Sequence, residues 1–318
     1  MTQSSKSVLL LGSTGTIGRA TANALVAAGY KVVAPVRSQS DAGTMAFTVP
    51  CTMTQSAFLS LMREHACEAV ISCVASRSGV PRDARAIDHD LNSAALSAAV
   101  AAGVTQFVLL SAICVQKPKL AFQQAKLAFE AELQSAPIIW SIVRPTAFFK
   151  SLSGQLNRLR AGKPFLLFGD GALTACKPIS NDDLARYLVA CLSDTTLQNR
   201  ILPIGGPGPA MTPREQGELL FEALGKTPRF KHVPVGIMSA VIAGLSTFGK
   251  VSSRLRDKAE LARIGRYYAT ESMLVWDDTA GRYDADATPE FGTETLADHY
   301  KRLAKEDIAD DRGEHAVF

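Results

Sequence analysis

Val8–Ala22 reads VLLLGSTGTIGRATA, and the fold class rests on that stretch. Four apolar residues, Val8 to Leu11, run directly into Gly12, Gly15 and Gly18. A helix-compatible segment continues to Ala28, and a second apolar run, Tyr30–Val36, closes the unit. Strand, glycine turn, helix and strand make a βαβ unit. Its turn carries little side-chain bulk, so the backbone of Gly12, Ser13, Thr14, Gly15, Thr16, Ile17 and Gly18 can approach a pyrophosphate at the N-terminus of the helix. A turn that needs glycine only for steric reasons would show the same triplet. The complete βαβ context favours dinucleotide binding.

The second apolar run is followed by Arg37. An acidic residue at that place would accept the ribose 2′-hydroxyl of NAD, whereas an arginine suits the 2′-phosphate of NADP, so NADPH is the expected cofactor. Asp41 lies four residues farther on, past the strand, and is discounted.

Outward from this unit the chain alternates. Phe47–Pro50 is a short candidate strand, Ala57–Glu64 a helix and Ala69–Ala75 a strand whose small residues Ala75 and Ser76 would border the adenine ribose. Asp90–Ala102 is an alanine-rich helix closed by Gly103, and Gln106–Ser111 is a buried strand. Ala121–Leu133 has apolar residues at helical spacing, and Ile138–Val143 is a strand ending at Arg144-Pro145. Strands and helices at this spacing predict an α/β fold, a Rossmann-like doubly wound parallel sheet. Gly162–Ile179, rich in Gly, Pro and Phe, predicts irregular structure; Asn181–Leu192 predicts a helix and Ile201–Ile204 a strand. From Thr212 the chain reads as mainly helical, with an acidic, frayed tail from Glu306. The expected division is an NADP-binding domain over 1–160, rejoined by 180–206, and a smaller, mainly helical substrate lobe formed by 161–179 and 207–318.

Composition narrows the class. Of 318 residues, 47% are hydrophobic and 20% charged, with a formal charge of +4 and no basic block interleaved with aromatics, so no nucleic-acid partner is expected. Six dispersed cysteines and five dispersed histidines show no CxxC or HExxH spacing, which argues for reduced thiols and against a protein-held metal. The polar start MTQSSKSV resembles neither a signal nor a transit peptide, so a cytoplasmic location is the expectation. Val233–Gly249 is long, uncharged and interrupted by Pro234 and glycines. It reads first as a core helix, and second as the wall of an apolar cleft or a membrane-surface contact; no segment reaches the length of a spanning helix.

In open α/β sheets ligands bind beyond the carboxyl ends of the strands. Three such ends converge: Gly12, Ser111 and Arg144-Pro145. Ser111 is followed by Phe122 and then Lys126, one helical turn apart on one face. The arrangement resembles the short-chain dehydrogenase/reductase superfamily, whose Ser, Tyr and Lys occupy these places; here Phe122 stands where the Tyr would be. The GxxGxxG loop is similar to the atypical, NmrA-like branch. The segments Leu109–Pro118 (LLSAICVQKP), Ser141–Leu152 (SIVRPTAFFKSL), Phe168–Gly171 (FGDG), Cys176–Ser180 (CKPIS), Leu202–Gly208 (LPIGGPG) and Ile264–Leu274 (IGRYYATESML) narrow the resemblance to the divinyl chlorophyllide 8-vinyl reductase family.

That resemblance implies NADPH-dependent reduction of the C8 vinyl group of a magnesium tetrapyrrole to ethyl. A phenylalanine cannot donate a proton, but hydride addition to a conjugated vinyl group needs no acid at a carbonyl oxygen. Lys126 is expected at the nicotinamide ribose, Ser111 near the nicotinamide or a water, and Pro145 along the cofactor. Lys126, Tyr267, Tyr268 and Cys176 are candidate proton donors, though packing or substrate contact is the better reading of each of the last three. Phe148, Phe149, Phe165 and Phe168 would suit a flat macrocycle, though for each ordinary core packing is the better reading. Lys117, Lys119, Lys150 and Lys177 could meet a propionate carboxylate, though solvated charge is the better reading of each. His89 and His232 gain little support as magnesium ligands. The family adds a peripheral seat on a photosynthetic membrane as an expectation and leaves the oligomeric state open. The competing readings are a non-catalytic NADP-binding regulator and a reductase of another conjugated alkene.

Overall fold

The computed structural model describes residues 6–38, 47–248 and 252–305; Asp41 and the tail from Glu306 lie outside them. The first half runs β1 (Ser7–Leu11), α1 (Thr16–Ala27), β2 (Lys31–Val36), β3 (Thr48–Pro50), α2 (Gln55–Glu64), β4 (Cys67–Ser72), α3 (Pro81–Ala84), α4 (Asn92–Ala102), β5 (Gln106–Leu110), α5 (Ala121–Ser135) and β6 (Ile139–Pro145). The second half runs α6 (Phe149–Leu152), α7 (Leu156–Arg160), β7 (Phe165–Phe168), α8 (Asn181–Ala190), β8 (Arg200–Ile204), α9 (Pro213–Ala223), β9 (Phe230–Val233), α10 (Val235–Phe248), α11 (Ser253–Thr270), β10 (Val275–Asp277), β11 (Arg282–Asp284) and α12 (Leu296–Lys305).

Seven parallel strands form the main sheet in the order β3-β2-β1-β4-β5-β6-β8. The order reverses between β1 and β4, which opens a crevice at their carboxyl ends. β1 shows why the sheet is covered on both sides. Val8 and Leu10 point into a layer with Ile17 and Leu25 of α1 and Leu184 and Leu188 of α8. Leu9 and Leu11 point the other way, toward Phe58 and Met62 of α2, Leu96 of α4 and Phe129 of α5. All four are buried, so the strand reads as a continuous apolar run rather than an alternation. At roughly 1.5–3 kcal/mol for each fully buried aliphatic side chain, these faces supply a large part of the driving force for folding.

Two expectations need correction. The described part of Val233–Gly249 is not a core helix: no described side chain of α10 is buried, and Ile237 and Val241 are 54% and 48% exposed. It rests against α11. Hydrophobicity says what a segment can bury, not what the fold offers as cover, and α10 is apolar on more faces than its neighbour can shield. Gly162–Ile179 is also not wholly irregular, because β7 pairs with β9 in parallel, Phe165 opposite Phe230. The partner lies over sixty residues away, beyond the reach of local pattern.

Phe149 and Phe165 sit in a core with Leu220 and Tyr300, so they are packing residues. Phe148 packs against the main core.

Candidate active site

The glycine loop is a cradle that side chains would fill. Gly12 has φ +77°, and a Cβ there would meet the Cys73 backbone at 2.9 Å. A Cβ on Gly18 would lie 2.0 Å from the Gly12 carbonyl oxygen, so α1 can pack this closely on β1 only with glycine. Gly15 is the N-cap of α1, no side chain caps that helix, and its first turn holds no acid. The first-turn amides of Thr16, Ile17 and Gly18 are therefore left for an outside acceptor. Beside them, Ser13 Oγ is buried without a hydrogen-bond partner. An orphaned donor and a free helix start both fit a pyrophosphate. Lys150, read from sequence as a possible substrate contact, instead donates to Thr16 Oγ1 at 3.0 Å and brings a cation to the same loop.

Arg37 follows the end of β2 and is exposed. Ala75 is exposed just past β4. Ser76 turns inward: its hydroxyl donates to Asp88 Oδ2 at 2.5 Å and its N–H to Oδ1 at 3.3 Å. The other partner of Asp88 is Lys126, whose Nζ lies 3.0 Å from Oδ1. The two side chains are 1% and 9% exposed, so the pair is almost wholly withdrawn from water.

Asp88 is held there by an interrupted helix. α3 and α4 are joined through a π-helical turn, Arg85–Leu91, into one helical run that starts at Pro81. Asn92 donates to the carbonyls of Ile87 and Asp88 while its Oδ1 accepts from Ser72 at 2.6 Å. A side chain inserted into the backbone ladder is a recognised cause of such a bulge, and bulges of this kind gather at functional sites.

Phe122, Lys126 and Glu130 follow one another down a buried face of α5. Glu130 ties two strand ends to this helix: it accepts from Ser111 Oγ and pairs with Arg144, whose Nε lies 3.2 Å from Oε1. Ser111 is buried and its hydroxyl is committed to Glu130. Pro145 ends β6, buried beside this network.

The remaining candidates divide by what holds them. Tyr267 is buried, donating to the carbonyls of Cys114 at 2.9 Å and Lys117 at 3.1 Å, and burial holds its hydroxyl well above the usual tyrosine range. Cys176 is a core thiol that burial pushes up to about 12, against the hydrogen bond from Gln216. Tyr268 is 38% exposed and turns its hydroxyl to Cys114 Sγ at 3.9 Å. Lys117 and Lys119 both pair with Glu271, Lys117 also lying 3.8 Å from the centre of the Trp276 ring, and Lys177 pairs with Glu290.

Sequence reasoning missed Asp88 and Glu130. Glu130 stands four residues after Lys126, and that spacing on a helix with an apolar face could have flagged it. Asp88 had a weaker signal, Pro81 at a helix start followed by Asp83, because the helix was read as beginning at Asp90.

A protein-family profile described as NAD(P)H-binding matches residues 12–195. The divinyl chlorophyllide a 8-vinyl-reductase, chloroplastic, of Cucumis sativus is 44% identical over 332 residues, covering 98% of this chain and 79% of the relative. The protein of the same name from Oryza sativa subsp. indica is 44% identical over 335 residues, covering 99% and 83%. Among solved structures, the NADPH complex of the quinone oxidoreductase QOR2 from Escherichia coli shares the fold with a TM-score of 0.68 at 17% identity, over 93% of this chain and 99% of that one.

Proposed function

The chain belongs to the divinyl chlorophyllide a 8-vinyl-reductase family, and from that premise we propose that it reduces the 8-vinyl group of a 3,8-divinyl (proto)chlorophyllide to ethyl with NADPH. It is an oxidoreductase acting on a carbon–carbon double bond. NADPH, bound along the glycine loop, supplies the hydride.

The observation that carries this reading within the fold is Lys126 paired with Asp88 on a helix whose preceding turn presents Phe122. A carbonyl reductase of this architecture needs a hydroxyl at position 122. A vinyl reductase does not, because charge arriving with hydride at the terminal vinyl carbon spreads into the macrocycle.

The chain's own groups divide the work. The loop amides and Ser13 hold the pyrophosphate, with Lys150 adding positive charge at Thr16. Arg37 takes the 2′-phosphate and so selects NADPH over NADH. Lys126, fixed by Asp88, donates to the nicotinamide ribose and keeps the ring in place. Ser111, Glu130 and Arg144 lock α5 to the ends of β5 and β6, so that Lys126 does not drift; misplacement by about 1 Å can cost on the order of 100-fold in rate. The described residues of 161–179 and 207–305 supply the side that receives the macrocycle.

Among the described residues no helix is long and apolar enough to cross a membrane. A peripheral seat at a pigment-bearing membrane is supported by α10, uncharged and unburied, next to Arg254, Arg256, Lys258 and Arg266 exposed on α11.

The test is optical. Purified protein with divinyl chlorophyllide and NADPH should shift the Soret band to the blue as vinyl conjugation is lost. NADPH binding without any shift would support the non-catalytic regulator instead.

A further inference from the structure

Position 122 leaves the site without its expected phenol, yet a phenol reaches the same neighbourhood from another element. Ile264 of α11 and Phe122 of α5 both lie against Gly79: a Cβ there would meet Ile264 Cδ1 at 2.9 Å and Phe122 Cδ1 at 3.4 Å. Both belong to one cluster with Cys114 and Tyr267. One helical turn beyond Phe122 lies Lys126, and one turn beyond Ile264 lies Tyr268.

Cys114 lies near both elements. Its thiol faces the Tyr268 hydroxyl at 3.9 Å and also feels the Lys126 ammonium; Tyr268 in turn feels Asp88, the partner of Lys126. We propose that Tyr268 is the catalytic proton donor of the vinyl reduction, delivering from α11 the proton that no hydroxyl at position 122 can give. The inference rests on the vinyl-reductase reading above.

The other candidates are spent on structure. The Tyr267 hydroxyl already donates to two carbonyls, Cys176 lies in the core, and the Lys126 ammonium is held by Asp88. Tyr268 combines a ring 38% exposed with a hydroxyl held by nothing stronger than a thiol. Burial, then Cys114, Tyr267 and Asp88, keep that hydroxyl well above the ordinary tyrosine range, so it stays protonated. A neutral phenol is a competent acid toward a carbanion.

The step balances. Hydride from NADPH forms the new C–H bond at the terminal vinyl carbon. The π pair moves to the carbon attached to the macrocycle, and the Tyr268 proton forms the second C–H bond there. NADPH is oxidised, the vinyl group is reduced to ethyl, and the Tyr268 phenolate regains its proton from water once the product has left.

The experiment is turnover of the full-length protein in D2O with divinyl chlorophyllide and NADPH, comparing wild type with Tyr268→Phe. Wild type should place deuterium in one configuration at the ring-attached carbon. Tyr268→Phe keeps the ring, and should bind NADPH within about 2-fold of wild type by fluorescence. Its kcat should fall by about 100-fold or more at similar KM, the range of a lost general acid, and its residual product should carry deuterium in both configurations. Cys114→Ala, which removes only the hydroxyl's partner, should keep the single configuration. Three outcomes would overturn the inference: mixed configurations from wild type, a Tyr268→Phe variant within 3-fold in kcat, or one that retains a single configuration. Wild-type protein that binds NADPH but turns over no divinyl chlorophyllide would overturn the vinyl-reductase reading, and this inference with it.

Discussion

Asp88 and Lys126 form a buried ion pair, Nζ to Oδ1 3.0 Å, between a π-helical turn and the middle of α5. The chain gives up the water around two charges to fix one ammonium group beside the ends of β4 and β5. Such pairs add little net stability, but breaking one side typically costs about 3–5 kcal/mol, because the remaining charge is stranded. Asp88→Ala or Lys126→Ala should each show that loss in denaturant unfolding. Asp88→Leu with Lys126→Met should recover most of the stability and none of the turnover. A double variant no more stable than either single one would mean that the pair is not the coupled unit described here.

Arg37 is the residue expected to choose the cofactor. A charge-assisted hydrogen bond contributes about 1.5–3 kcal/mol, or roughly 10- to 150-fold in affinity. Arg37→Asp should weaken NADPH by about that much and leave NADH little changed, measured by fluorescence titration. Equal weakening of both would place the 2′-phosphate elsewhere.

Glu271 links pH to the position of α11. It caps the helix and accepts from Lys119, Lys117 and Tyr283. Burial raises its pKa, but these three partners outweigh that and set it below the ordinary 4.5. A carboxylate lowered on folding stabilises the native state above its unfolded value, and the contribution disappears as the pH falls through the native value. Wild type and Glu271→Gln should therefore differ by a constant amount above pH 5 and converge in acid. A difference that grew as the pH fell would contradict the sign.

The exposed apolar surface of α10 should bind an anionic membrane. Wild-type protein is expected to co-float with vesicles containing anionic lipid and to be released by salt, since the basic residues of α11 are screened over about 10 Å at 0.1 M. Ile237→Lys with Val241→Glu should abolish flotation without changing the melting temperature. Equal flotation of the variant would remove α10 from membrane attachment.

The sheet was legible because its signals are local. Val8–Leu11 and Gln106–Leu110 are continuous apolar runs, and Gly12, Gly15 and Gly18 occupy a turn that tolerates no Cβ at two of the three positions. Lys126 was singled out by its distance from Ser111, and the fold buries it against Asp88. What escaped depends on neighbours remote in sequence: Asp88 matters through Lys126, thirty-eight residues away. Lys150 read as a solvated charge or, at most, a propionate partner, and the fold places it at Thr16. α10 misled for the opposite reason, since its apolar character was plain but its lack of cover was not.

The central claim is hydride transfer from NADPH to the vinyl terminus. Turnover of divinyl chlorophyllide with NADPH deuterated on the transferred face of nicotinamide C4 reads it directly by mass and NMR of the product. The product should carry a single deuterium in the methyl of the new ethyl group and none on the ring-attached carbon. Label on the ring-attached carbon, or an ethyl product without label, would contradict it.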